Sequence, residues 1–189
     1  MTINVQEVFE TVRMTLYQHF DIRTTTLGIN LKDCIHSDFD RFCDNVYQRI
    51  NSRAKDLIKH AENLEVLFGV PIINKRISVT PVSLIMETHA EPEKFLKMAQ
   101  TLDRAAGDAG IDFIGGFGAL VHKGMTRSDA ALIEALPEVL SNTGRVCSFL
   151  NVGSTVAGMN IDAVLALGPM LRRTAEISER GIGCAKFVV

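Results

Sequence analysis

No apolar run in this chain approaches the roughly 20 residues that a membrane-crossing helix needs, so no membrane partner is expected. There is no basic start followed by an apolar core. "MTINVQEVFETVR" is acidic and amphipathic instead, which argues against a secretory leader and for a cytoplasmic location. Positive charge is not in excess either: the formal net charge is −2 and the pI near 6.2. The basic pairs Lys75-Arg76 and Arg172-Arg173 are too short to follow a phosphate backbone, so no nucleic-acid partner is expected. The four cysteines, Cys34, Cys43, Cys147 and Cys184, form no Cys-x-x-Cys pair. That spacing excludes a zinc knuckle or a dithiol redox centre and leaves free, mostly buried thiols. No linker, repeat or low-complexity segment divides the 189 residues, which read as a single α/β unit spanning 1–189.

What is present is a regular alternation. "VQEVFETVRMTLYQHF" repeats apolar residues at Val5, Val8, Phe9, Val12 and Leu16, a helical spacing. "DIRTTTLGI" is short and β-branched and predicts a strand. Ser37 with Asp40 has capping-box spacing and predicts the start of one long helix running toward Leu67, stopped by Gly69. "VPIINKRISVT" predicts the second strand, and "PVSLIMETHA" a helical turn or irregular loop. An amphipathic helix follows, with Pro92 in its first turn; "IDFIGG" then predicts a third strand. The next helix contains Pro137, expected to kink or split it. "RVCSFLNVG" reads as the fourth strand, "MNIDAVLALGPMLRRTAEISER" as another helix and "CAKFVV" as the fifth strand. Apolar strands separated by helices indicate a parallel sheet covered by helices. A buried-type strand at the last residue predicts either a central place in the sheet or a longer polypeptide, and the second is preferred.

The stretch "FIGGFGALVHKGMT" asks for a reading of its own. A phosphate-binding loop of the G-x-x-x-x-G-K-[ST] kind fails, because Lys123 precedes Gly124 and Met125 separates that glycine from Thr126. The dinucleotide pattern fails too, with no glycine at position 121. Tight turning at Gly115, Gly116 and Gly118, and a cap from Thr126 and Asp129 on the next helix, explain the same residues. In parallel α/β proteins, however, ligands sit at the carboxyl ends of the strands. That position selects candidate ligand-binding residues on one rim: Thr26 and Gly28 following the first strand, Ser78 and Thr80 following the second, and Gly115, Gly116, Gly118, His122 and Lys123 after the third, with Lys123 or Arg76 to offset a ligand's negative charge. Asn151, Gly153 and Ser154 follow the fourth, where backbone N–H groups from Gly158 offer a further anion site. "KDCIHSDFD" clusters Asp33, Cys34, His36, Asp38 and Asp40, but capping explains these better than a metal, and no metal is assigned.

Four blocks carry a resemblance: "FDIRTTTLGINLKDC", "GVPIINKRISVTPVSLI", "GIDFIGGFGALVHKGMT" and "VCSFLNVGSTVAGMNIDAV". They resemble successive blocks of an uncharacterised bacterial and archaeal family, domain-of-unknown-function 711, also labelled UPF 0210. The resemblance implies a fold similar to pyruvate formate-lyase and anaerobic ribonucleotide reductase, whose ten-stranded α/β barrel consists of two five-stranded parallel halves. Family members exceed twice this length, so the chain resembles an N-terminal half. Glycyl-radical chemistry needs a radical-bearing glycine loop and relay cysteines; no adjacent cysteine pair stands here, and fold likeness does not transfer mechanism. No cofactor is therefore expected. The expected function is binding of a small anionic metabolite, as an enzyme of unknown reaction or as a non-catalytic regulatory protein acting through a partner. The expected partners are a small-molecule ligand and either further copies of the chain or a complementary C-terminal half.

Overall fold

The computed structural model describes residues 4–18 and 21–189. Helix α1 (Val5–Val12) runs into a π-helical turn at Arg13–Tyr17 and contributes no buried residue. Strand β1 (Ile22–Ile29) leads through a short 3-10 turn into α2 (Phe39–Ala54) and α3 (Leu57–Phe68). Asp38, not Ser37, caps α2: its carboxylate accepts from the N–H groups of Asp40 and Arg41 at 2.9 and 3.1 Å. The single long helix expected here is broken at Lys55–Asp56, with Gly69 ending the second piece in the left-handed conformation.

After β2 (Ile72–Val79), the segment whose sequence predicts a helical turn or irregular loop is helical, with α4 (Val82–Ile85) and a 3-10 turn at Glu87–His89, ahead of α5 (Pro92–Asp108). The third strand, β3 (Phe113–Leu120), is longer than expected and takes in all three glycines of the candidate loop. Helix α6 (Arg127–Asn142) carries the expected Thr126–Asp129 capping box and is continuous through the buried Pro137. Strand β4 (Val146–Asn151) is followed by an unforeseen hairpin of β5 (Gly153–Ser154) and β6 (Gly158–Met159). Helix α7 therefore starts at Ile161, not Met159, and runs to Ile177. Cys184–Lys186 belong to a 3-10 segment, so the terminal strand β7 is only Phe187–Val188.

Five strands form one wholly parallel sheet in the order β1-β2-β3-β4-β7, the order of the chain. Strand β7 is at the sheet's edge, not its centre. Parallel crossovers are right-handed, so a sheet that always advances in one direction puts every connecting helix on the same face. Burial agrees. Ile29, Ile77, Val79, Ile114, Val146 and Leu150 point into the helical layer and are at most 6% exposed. Phe42, Phe95, Met98, Leu102, Leu132 and Leu136 meet them from α2, α5 and α6. The alternate residues, among them Thr26, Arg76, Ser78, Leu120, Asn151 and Val188, are exposed. Side chains alternate along a strand, so these form the opposite face, which no helix among the described residues covers.

Candidate functional site

The register of that open face arranges its residues in rows. Thr26 pairs with Arg76, and Arg76 with Phe113; one step on, Gly28 pairs with Ser78, and Ser78 with Gly115. Towards the carboxyl end, Gly118 pairs with Phe149, Phe149 with Val188, and Leu120 with Asn151. A bulge between Ile114 and Phe117 supplies the change of register between β3 and β4. Gly116 is in this bulge at φ +100, and a Cβ on it would lie 2.3 Å from Val79 O. On Gly118 a Cβ would lie 2.2 Å from Phe149 O and 2.5 Å from the Phe149 ring. These two glycines let neighbouring backbones close up. Gly28 and Gly115 differ: a Cβ on Gly28 would touch nothing within 4 Å, and on Gly115 nothing nearer than 3.9 Å. Space stands open above them.

The Arg76 guanidinium lies over the Phe113 ring, 5.3 Å from its centroid. Among the described residues no carboxylate pairs with it; the ion pairs of this chain lie elsewhere. Neighbouring Lys75 shows the contrast, since it points the other way and is bound to Glu65 at 3.1 Å. Cys147 also lies on the open side of β4. Burial pushes its thiol up from the usual range, while the charges of Arg76 and Lys186 pull it down. The net direction is upward, so at neutral pH this is a thiol and not an activated nucleophile. Lys186 itself is lowered, chiefly by burial, and donates to Thr143 O. All four cysteines are free, with Cys34 and Cys43 buried and Cys147 and Cys184 half-buried.

The candidate residues thus fall into two groups. Thr26, Gly28, Arg76, Ser78, Gly115 and Gly118 lie along the strands on the open face, with Gly116 buried in the bulge of β3 between the last two. Thr80, His122, Lys123, Asn151, Gly153 and Ser154 lie at the carboxyl ends. Two of the second group, Thr80 and Ser154, have side-chain partners. Thr80 Oγ1 accepts from Leu31 N at 3.1 Å and meets Asn30 Oδ1 at 3.3 Å. Ser154 Oγ accepts from Ala157 N at 3.0 Å inside the hairpin. Asn160 caps α7 through Ala163 N at 3.2 Å, so one of the N–H groups after Gly158 that were expected to offer an anion site is taken by the chain's own side chain. His122 is half-buried with an unpartnered Nδ1.

The acidic cluster near residue 36 is consumed locally. His36 Nδ1 accepts from Asp38 N at 2.9 Å, and Asp40 pairs with Lys97 at 2.6 Å. Among the described residues no three His, Cys, Asp or Glu side chains gather as metal ligands, and no helix is long and apolar enough to cross a membrane. Phe113, Phe149 and Cys147 were missed as site residues by sequence reasoning. Only strand parity combined with a one-sided helical layer reveals their face.

Comparison with known proteins places this chain in a family. A UPF0210 protein of Methanosarcina mazei is 51% identical over 191 residues, which covers 100% of this chain and 42% of the relative. UPF0210 proteins of Thermoanaerobacter sp. and Neisseria meningitidis are 49% and 50% identical, again over 100% of this chain and 42% of theirs. The chain thus spans less than half the length of the curated relatives it matches. The family model described as "Uncharacterised ACR (DUF711)" matches residues 13–189, and with these identities the chain belongs to that family.

Proposed function

We propose that the open face of the sheet is a binding surface for a small oxyanion-bearing metabolite, and that in the longer family members it forms the inner wall of an α/β barrel like that of pyruvate formate-lyase. The observation that carries the reading is Arg76. An arginine stacked on Phe113, with no acidic partner among the described residues, is set on a face that the strand order leaves bare. A guanidinium fork matches a carboxylate or phosphate, and its N–H donors gain most where water is partly excluded. Thr26 and Ser78 place exposed hydroxyls beside it. A second five-stranded half would enclose this face, as the family's greater length allows. The resting thiol of Cys147 favours binding over nucleophilic catalysis, which keeps the regulatory reading beside the enzymatic one.

Titration of the isotope-labelled chain with acetate and with inorganic phosphate, followed by amide chemical shifts, tests this. Saturable shifts centred on Thr26, Arg76 and Ser78 are expected, and Arg76→Gln should abolish them. Shifts that persist unchanged in Arg76→Gln, or none at millimolar anion, would overturn the proposal.

A further inference from the structure

Resting on that reading, the geometry points to a ligand class: we infer that the Arg76 site takes a monocarboxylate with a flat, apolar body. The charge follows from the cation count. Among the described residues one guanidinium, that of Arg76, is stacked on this face; Lys186 is engaged with Thr143 O, and Arg49 and Arg53, which border Gly28, belong to α2 in the helical layer. A single fork neutralises one carboxylate bidentately; a phosphate dianion calls for a second cation or a nest of backbone N–H groups. Thr26, paired with Arg76, offers its hydroxyl to the same carboxylate.

The shape follows from what lies one step further along the strands. There the row Gly28–Ser78–Gly115 exposes peptide planes with no Cβ on either side of the serine. Neither glycine is required by the backbone: neither has positive φ, and a Cβ would fit at both. Glycine inside a strand is destabilising relative to alanine. Two of them flanking a small serine leave a trough roughly 10 Å across, two inter-strand spacings. Phe113 stands on the Arg76 side of this row, and Phe149, over Gly118, stands further toward the carboxyl end on β4. A flat ring would rest on the peptide planes between the two phenylalanines, with its carboxylate on Arg76. A bulky or branched body would gain nothing from the bare floor.

The test compares acetate, benzoate and inorganic phosphate on the labelled chain, with Arg76→Gln, Gly115→Val and Gly28→Val. Benzoate should bind at least tenfold more tightly than acetate or phosphate. Gly115→Val should remove that advantage while leaving acetate shifts at Arg76 intact, and Arg76→Gln should weaken all three. Gly28→Val is the second floor variant should Gly115→Val lose its dispersed amide spectrum. If acetate binds at Arg76 but benzoate binds no better, or if both valine variants keep the benzoate advantage, the flat-body inference is overturned and the anion reading stands. Phosphate binding as tightly as benzoate would overturn the monocarboxylate assignment. If no anion acts on Arg76, the proposed function falls with it.

Discussion

Among residues, the glycines of this chain divide by what surrounds them. Gly116 combines φ +100 with a backbone oxygen 2.3 Å from where a Cβ would be. Gly116→Ala is therefore expected to destabilise the chain by roughly 2–4 kcal/mol, the range of a backbone clash with no room to relax. Gly28 has neither constraint, and Gly28→Ala should be neutral or stabilising by up to about 1 kcal/mol. Urea denaturation of the two variants decides; equal losses would mean that β1 and β3 are not packed as described. The same contrast makes Gly116→Val uninformative about ligands, because it breaks the β2–β3 contact before any ligand is involved.

At the level of elements, the join between α3 and β2 depends on one carboxylate. Glu65 Oε1 accepts from Ile72 N at 2.6 Å and from Lys75 Nζ at 3.1 Å. The Ile72 N–H first, then the Lys75 ammonium, hold its carboxyl below the usual value of 4.5. A carboxylate depressed in the folded state gives stability that is present above its unfolded value and is lost as pH falls through the folded one. Thermal melts should show Tm falling as pH drops below about 4.5, the reference value for the unfolded side chain. In Glu65→Gln that acid decline should be shallower, with a lower plateau at neutral pH. Parallel acid limbs for the two proteins would show that Glu65 has no share in the linkage. Helix α6 illustrates the opposite case, a local motif sufficient by itself. Thr126 Oγ1 accepts from Asp129 N at 3.2 Å and Asp129 Oδ2 accepts from Thr126 N at 2.8 Å, the reciprocal pairing that its spacing announced.

For the whole molecule, exposed apolar surface is the dominant feature. Val5, Phe9, Leu16, Tyr17, Val66 and Leu67 are all more than 60% exposed, on α1, its π-helical turn and the end of α3, with a concavity of about 500 Å³ between them. The edges of β1 and β7 have no strand partner among the described residues. Unpaired edges and apolar patches of this kind drive association. Light scattering at micromolar concentration is expected to give a mass above the 20.8 kDa of one chain. A clean monomer, stable over days, would count decisively against pairing with further copies and leave the complementary half as the remaining partner.

Alternation of apolar strands with amphipathic helices indicated, from sequence alone, a parallel α/β sheet of five strands, because the two kinds of element leave different periods in the chain; it also implied a sheet covered by helices, whereas one face is bare among the described residues. Caps with local spacing, such as Thr126 with Asp129, were equally legible. The break at Lys55–Asp56 was not, since no glycine or proline stands there. Nor was the extent of β3: its glycines look like a loop in one dimension and act as strand residues because Val79 O and Phe149 O press against them from neighbouring strands. The sequence named Arg76, Ser78 and Gly115 by proximity to strand ends. Only the tertiary structure decided that they share a face with Phe113 and Phe149, because that depends on strand order and on every crossover turning the same way, contacts between residues far apart in the chain.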